Sequence, residues 1–477
     1  MLKKIFSHSI LYALGPQLPK IITIFLMPIV TKYLTPNDYA ISGITMAYIG
    51  AISGLRELGF QQIMANYFYR AKGNEKRWKP FWKQHLGILL LWGVPYSILL
   101  TIVLYFGLKN HIKTNFSLFL IVSILPALLF DVINSFGFRY YQFAQKPIYP
   151  SVVAFIVGCT SIFTTYYCVV HLQLQYWSFF ITILVSSFVS FLFFFHTLFF
   201  KAKIIPTFLV KKRQLKRYFK VSLPTIPHNY SAYLLNASDR VVLDVYKIDA
   251  NKIGQYNFAY TFGMYAEIIG NAIGMAVGPV YLNLYANHNE TGYNQAKLLT
   301  FFLQLLFMLF SFLGCLWMFE VFKLLASNKD LVLAYPLAII VVMGYSYRPM
   351  YWACVNRLGF EEKTNQLWKI SLIGGVLNVI LNIIFIPIWG VYGSALATFI
   401  GLMYIGFSGF YNQAYKKLNK ENYYPLHWFF SIVILGVLAY VLKETDIYIK
   451  IIITTVTLFG TVAFFLKNRS TFNFLKR

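Results

Sequence analysis

Trp177-Ser-Phe-Phe-Ile-Thr-Ile-Leu-Val-Ser-Ser-Phe-Val-Ser-Phe-Leu-Phe-Phe-Phe-His-Thr-Leu-Phe-Phe200 carries no formal charge. It is followed at once by Lys201-Ala-Lys-Ile-Ile-Pro-Thr-Phe-Leu-Val-Lys-Lys-Arg-Gln-Leu-Lys-Arg-Tyr-Phe-Lys220, where eight positions are Lys or Arg. A helix crossing the hydrocarbon core of a bilayer needs about 20 mostly apolar residues, so the first stretch reads as a membrane span. The second reads as a cytoplasmic loop, because Lys and Arg are retained on that side. The rest of the chain repeats this grammar. Of 477 residues, 58% are hydrophobic, 19% aromatic and only 12% charged, against roughly 45–50% apolar and 25% charged in soluble domains. In a soluble protein a formal net charge of +26 would suggest nucleic acid. In a chain this apolar the charge serves topology, and no nucleic-acid partner is expected.

Working outward, fourteen apolar segments are predicted, at about 8–32, 39–64, 84–108, 116–140, 148–170, 177–200, 221–245, 253–283, 298–325, 331–355, 368–388, 391–414, 425–442 and 447–467. The reading is an all-α polytopic membrane protein. The basic stretch divides it into domains at 1–200 and 221–415, with a linker at 201–220 and a further helix pair and basic tail at 416–477. The start, Met1-Leu2-Lys3-Lys4, has the look of a signal-peptide n-region. The apolar segment after it, however, runs on through Pro16, Pro19, Lys20 and Pro28 without an A-x-A site, so a retained first helix is expected.

With both termini placed in the cytoplasm of a bacterial inner membrane, the inside loops hold 29 of the 42 Lys and Arg and the outside loops 10. The remaining three, Lys20, Arg56 and Arg348, lie within helices. Inverting the chain would put Arg70–Lys83 and Lys201–Lys220 outside, against the positive-inside rule. Every loop is short, which leaves no room for a soluble catalytic domain. There is no Walker A, GxGxxG or DxD motif, so ATP-driven pumping and nucleotide-sugar transfer are not expected, nor is enzymatic activity. Cys159, Cys168, Cys315 and Cys354 sit in apolar segments with no CxxC and no metal-like spacing. They read as small buried hydrophobes, and no metal or cofactor is predicted.

Ionisable groups inside spans cost about 2.5–3.5 kcal/mol each on insertion scales and need a partner or a wet cavity. Lys20 shares a helical stripe with Tyr12, Pro16, Thr23, Met27 and Thr31. The seventh segment places Asn229, Tyr233, Asn236 and Arg240 on one face behind Pro224 and Pro227; Asp239 lies about 100° round from Arg240 and need not pair with it. The fourth aligns Asp131, Ser135 and Arg139, and the tenth Gly344, Arg348, Trp352 and Asn356. In the eighth, Gly270-x3-Gly274-x3-Gly278 forms a small-residue seam, with Glu267 on the same side. Arg56-Glu57 is an adjacent pair in the second; Asn378 and Asn382 in the eleventh read as interhelical hydrogen bonders. Lys20, Arg56, Arg139, Arg240 and Arg348 together suggest a cavity with a surplus of cations. Such a surplus suits an anionic, phosphate-bearing solute. Asn229 and Asn236 join this substrate-binding set, and Asp131, Asp239 and Glu267 are candidates for ion coupling.

Pro28-Ile-Val-Thr-Lys-Tyr-Leu-Thr-Pro-Asn-Asp-Tyr39 resembles the opening of bacterial Wzx-type polysaccharide-repeat flippases. Leu223-Pro-x-x-Pro-His228 with Leu235-Asn-Ala-Ser-Asp-Arg240 resembles their seventh helix. Asn378-x3-Asn382-x4-Pro387-x2-Gly390-x2-Gly393-Ser-Ala395 is similar to their eleventh-to-twelfth connection. These motifs span nearly the whole chain and are shared across the multidrug/oligosaccharidyl-lipid/polysaccharide exporter superfamily. Ala40 departs from the glycine often found at that position. The resemblance implies two six-helix bundles in a V-shaped arrangement plus a C-terminal helix pair. It also implies movement of undecaprenyl-diphosphate-linked oligosaccharide, of O-antigen or capsule type, to the periplasmic leaflet by alternating access. Implied partners are that lipid, the surrounding membrane lipids, and a polysaccharide polymerase and chain-length regulator. A cation-coupled multidrug exporter and a lipid II flippase share the fold. An O-antigen polymerase or ligase would need a large periplasmic loop that is missing here.

Overall fold

The structure, a computed structural model, describes residues 18–71, 74–209, 212–223, 226–286, 290–363, 365–418 and 421–467. Among them there is no strand, and eleven helices are long and apolar enough to cross a membrane. These eleven are α4 (Glu75–Leu108), α5 (Phe116–Phe143), α6 (Ile148–His171), α7 (Trp177–Lys201), α11 (Ala250–Ala286), α12 (Glu290–Leu316), α14 (Lys329–Phe360), α15 (Asn365–Trp389), α16 (Val391–Tyr411), α18 (Pro425–Glu444) and α19 (Ile447–Lys467). The three other expected segments are helical but short or broken: α1 (Leu18–Val30), α2 (Pro36–Ser53) with α3 (Phe60–Arg70), and α9 (Ile226–Asn236) with α10 (Ser238–Val245). Two amphipathic pieces, α8 (Lys212–Ser222) and α17 (Gln413–Leu418), and the one-face helix α13 (Met318–Leu325) complete the set. The chain is a multi-pass, all-α membrane protein.

Local chemistry fixes the ends. Thr35 caps α2: its hydroxyl accepts from the Asp38 amide, and the Asp38 carboxylate accepts from the Thr35 amide at 2.7 Å. This reciprocal capping box satisfies amides that an open helix end leaves bare. Pro36 follows at the first helical position, where its missing N–H costs nothing. The other oxygen of Asp38 accepts from the Tyr176 amide at 2.9 Å, tying α2 to the entry of α7. Between α15 and α16, Gly390 turns the chain at φ 54°, a backbone region open to glycine.

The chain divides into two compact units between Asp244 and Val245. In the first, an aromatic core joins Phe68 of α3, Trp78, Phe81 and Trp82 of α4, and Phe136 and Phe143 of α5. Ala202, Ile204 and Tyr218 of the basic stretch belong to this core. The Thr207 amide donates to the Lys83 carbonyl at 3.0 Å, and α8 sets Tyr218 edge-on to Phe81. α9 packs on α2: the ring of Tyr233 lies over Gly50 and that of Tyr230 over Gly54, where a Cβ would come within 2.9 and 2.7 Å of the rings.

In the second unit, the α11 glycine seam receives large side chains of α14. Val341 lies against Gly263, Arg348 against Gly270 and Trp352 against Gly274. Asn382 donates to Asn378 at 3.0 Å and Asn378 to Thr398 at 3.4 Å, the latter linking α15 with α16. The terminal pair is anchored by polar contacts: fully buried Lys450 of α19 reaches Glu320 at 2.8 Å, and Trp317 donates to Thr454 at 2.9 Å. Elsewhere α18 and α19 expose Ile434, Val456 and Phe459, as lipid-facing helices do. Three cysteines are buried as expected, but Cys159 is exposed on α6.

Candidate functional site

The sequence predicts a continuous second span over 39–64; the structure breaks it. α2 stops at Ser53, residues 54–59 form turns with Leu58 and Gly59 at positive φ, and α3 restarts at Phe60. Non-helical backbone at membrane depth survives only where it is buried in protein or lines water. Here the indole of Trp92 on α4 donates to the Leu55 carbonyl at 2.9 Å. The break displays Arg56 and Glu57, side by side in sequence, toward α5. Arg56 Nη1 donates to Asp131 Oδ2 at 2.6 Å, and Arg139 pairs with Glu57.

α5 is itself irregular. Pro126–Phe130 widens into a π-bulge immediately before Asp131, a device that re-aims the following side chains and recurs at functional sites. It brings Asp131, Ser135 and Arg139 onto the wall of a cavity of about 500 Å³, with Arg56, Gln61, Asn134 and Gln142 as further polar lining. Arg139 Nη1 is buried without a hydrogen-bond partner among the described residues.

The second unit carries a matching arrangement. α14 tightens into a 3-10 turn at Tyr345–Tyr347 before Arg348-Pro349. The guanidinium of Arg348 lies over Gly270. Nη1 donates to Asn271 at 2.7 Å, Nη2 meets Glu267 at 3.3 Å, and Nε has no partner among the described residues. Tyr345 donates to the other Glu267 oxygen at 3.4 Å, and its ring and that of Tyr347 lie 5.5 and 5.8 Å from the guanidinium. Aromatic faces at this range add cation–π attraction.

Asp239 and Arg240 depart from expectation. They do pair, at 2.8 Å, because Arg240 folds back; its Nη1 also donates to the Asn236 carbonyl at 2.6 Å. That carbonyl lies at the break around Ala237, between α9 and α10. Both side chains are buried. The side chains of Lys20 and Asn229 lie outside the described residues; Asn236 sits at the end of α9.

A further correction concerns charge. The expected cation surplus is not present among the described residues of these sites. Arg56, Arg139, Arg240 and Arg348 each have one carboxylate partner: Asp131, Glu57, Asp239 and Glu267. Burying an arginine alone is too costly, so each brings its counter-ion. Glu57, Asn271 and Tyr345 belong to these sites and were absent from the candidates read from sequence. Glu57 was visible as the neighbour of Arg56, whereas Tyr345 is one turn from Arg348 and Asn271 one turn from Glu267. No cluster of three metal-ligating side chains occurs among the described residues.

The arginine pairs are thus set in irregular helices of a polytopic, all-α membrane fold. Solved structures agree on the fold. The inward-closed lipid II flippase MurJ superposes with a TM-score of 0.61 at 18% identity, covering 93% of this chain and 100% of that one. A mutant of the Vibrio cholerae MATE transporter VcmN gives 0.57 at 14%, covering 88% and 98%. An inward-facing multidrug resistance MATE transporter of the MOP superfamily gives 0.58 at 16%, covering 86% and 95%. The profile described as "Polysaccharide biosynthesis protein" matches residues 2–284, and the chain belongs to that family. No curated protein matches it in sequence.

Proposed function

We propose that this protein flips an undecaprenyl-diphosphate-linked oligosaccharide, of O-antigen, capsule or similar type, from the cytoplasmic to the periplasmic leaflet of a bacterial inner membrane by alternating access. Both termini are cytoplasmic in this reading, and a polymerase and chain-length regulator act downstream. Membership of the polysaccharide biosynthesis family supports it. The observation that carries it is the state of the arginines. Arg139 and Arg348 are each paired with a carboxylate yet keep one guanidinium nitrogen unbonded among the described residues. A diphosphate head group leaving water must have its hydration replaced by fixed donors. Guanidinium forks match phosphate oxygens well. The carboxylates prevent over-tight binding, because the head group must compete with Asp131, Glu57 or Glu267. A carboxylate displaced in that exchange is left buried without its arginine, and a cation taken up in its place would link substrate binding to ion uptake.

The test uses purified protein and native mass spectrometry with undecaprenyl diphosphate and undecaprenol. Wild type should retain the diphosphate and release the neutral alcohol, and Arg348→Gln and Arg56→Gln should lose the preference. Equal retention of both lipids by wild type would contradict the proposal. The one-for-one charge balance favours a second reading, a cation-coupled multidrug exporter. A deletion strain that accumulates drugs while displaying normal surface glycan would support that alternative.

A further inference from the structure

Away from the arginine sites, Asp244 near the end of α10 uses both carboxylate oxygens on distant parts of the chain. Oδ1 lies 2.6 Å from His111 Nε2, and Oδ2 accepts from the Tyr48 hydroxyl at 2.6 Å. His111 follows the end of α4 and Tyr48 belongs to α2, so one carboxylate fastens α10 to two other helices of the first unit. The Asp244 side chain is 11% exposed and that of His111 23%. Gly107 lies against the Tyr48 ring, at 2.6 Å from where a Cβ would stand, which keeps the tyrosine in place.

We propose that Asp244, His111 and Tyr48 form a proton-binding latch, closed when a proton bridges histidine and carboxylate. For its use in transport it rests on the function proposed above. Its partners distinguish it from the other acids. Asp131, Glu57 and Asp239 of this unit face arginines, which stay charged throughout the accessible pH range. Asp244 faces a histidine, the side chain that changes charge between pH 5 and 8. The remaining charged or titratable groups nearby do not replace that proton. Lys109 stacks on the Phe106 ring, Tyr233 lies beside Tyr48, and Arg240 is held by Asp239; Lys113 follows His111 two residues along.

Position gives the latch a use. α4 begins within the Arg70–Lys83 basic stretch and runs 34 residues to Leu108, about 50 Å at 1.5 Å per residue. The latch therefore stands one membrane thickness from the basic loops, on the side from which a proton gradient delivers protons. A one-residue break at Ala237 separates α10 from α9. The sign is set by histidine. With the imidazole protonated the contact is an ion pair, present at low pH. Loss of that proton as pH rises removes the pair and releases α10.

The experiment is amide hydrogen exchange on the full-length protein between pH 5.5 and 8, corrected for intrinsic rates. Wild type should show protection of the amides of residues 240–246 falling in a single step as pH rises across that range. In His111→Gln, which keeps a hydrogen-bond donor but cannot charge, protection should not change with pH. Tyr48→Phe should lower protection at every pH and keep the step. A wild-type profile without the step, or a step that persists in His111→Gln, overturns the latch. The exchange readout needs no substrate. If the step is present while Arg348→Gln exports glycan normally, the proposed function fails and the latch stands. If His111→Gln cells keep the wild-type dependence of glycan export on external pH, the role in coupling is overturned.

Discussion

Arg348 is placed as much by a glycine as by its acid. A methyl group on Gly270 would stand 2.3 Å from Arg348 Cδ, forcing the guanidinium away from Glu267 and Asn271. Alanine is otherwise about 1 kcal/mol better than glycine inside a helix. Gly270→Ala should therefore abolish surface glycan and lower the melting temperature, because the lost contacts of Arg348 outweigh that gain. Gly278→Ala, whose nearest neighbour is 3.7 Å away, should leave export intact. Glycan immunoblots beside thermal melts of the purified variants check both. The Arg139–Glu57 pair makes a different prediction at this scale. Removing one partner of a buried ion pair costs about 3–5 kcal/mol, whereas removing both costs far less. The double variant Arg139→Gln/Glu57→Gln should melt above Arg139→Gln alone. Additive losses would show that the two groups do not depend on each other.

Among elements, the interruption between α2 and α3 matters most. Its carbonyls need partners, and Trp92 supplies one to Leu55. Trp92→Phe should cost about 1 kcal/mol of stability, the value of a typical net hydrogen bond, seen as a lower melting temperature at normal expression. Gly54→Val should be more damaging, because a Cβ there meets the Tyr230 ring at 2.7 Å. An unchanged melt for Gly54→Val would mean α9 does not pack closely on α2. This interruption also marks the limit of what the sequence made legible. Long apolar runs signal spans, and helical spacing put Arg348 and Trp352 on one face and Gly270 and Gly274 on another, the two faces that meet. Hydropathy averages over Ser53-Gly-Leu-Arg-Glu-Leu-Gly59 and so passes over the break, though its two glycines and adjacent charges were visible. Which acid pairs with which arginine was not legible for a different reason. Arg56 meets Asp131 75 residues away, and Arg139 meets Glu57 82 away. Periodicity within one helix says nothing of a neighbour in another. With those pairings unseen, the arginines counted as a surplus of charge.

At the scale of the whole molecule, the partition of basic residues predicts both ends of the chain on the cytoplasmic side. Reporter fusions should read cytoplasmic within 201–220 and periplasmic between Lys109 and Lys113; a periplasmic reading at 201–220 would reverse the topology. We propose the transport domains as 1–200 and 221–415, joined by that basic linker and followed by the pair at 416–477. The central claim is that this molecule carries a lipid-linked diphosphate between leaflets. Its most direct measurement is the appearance of a fluorescent undecaprenyl-diphosphate oligosaccharide in the opposite leaflet of proteoliposomes, read by quenching with a membrane-impermeant reductant. Wild-type protein should make the internal pool accessible, and the Arg348→Gln protein, reconstituted to equal amounts, should not. Equal accessibility in protein-free and wild-type vesicles, or equal rates for wild type and Arg348→Gln, would contradict the account.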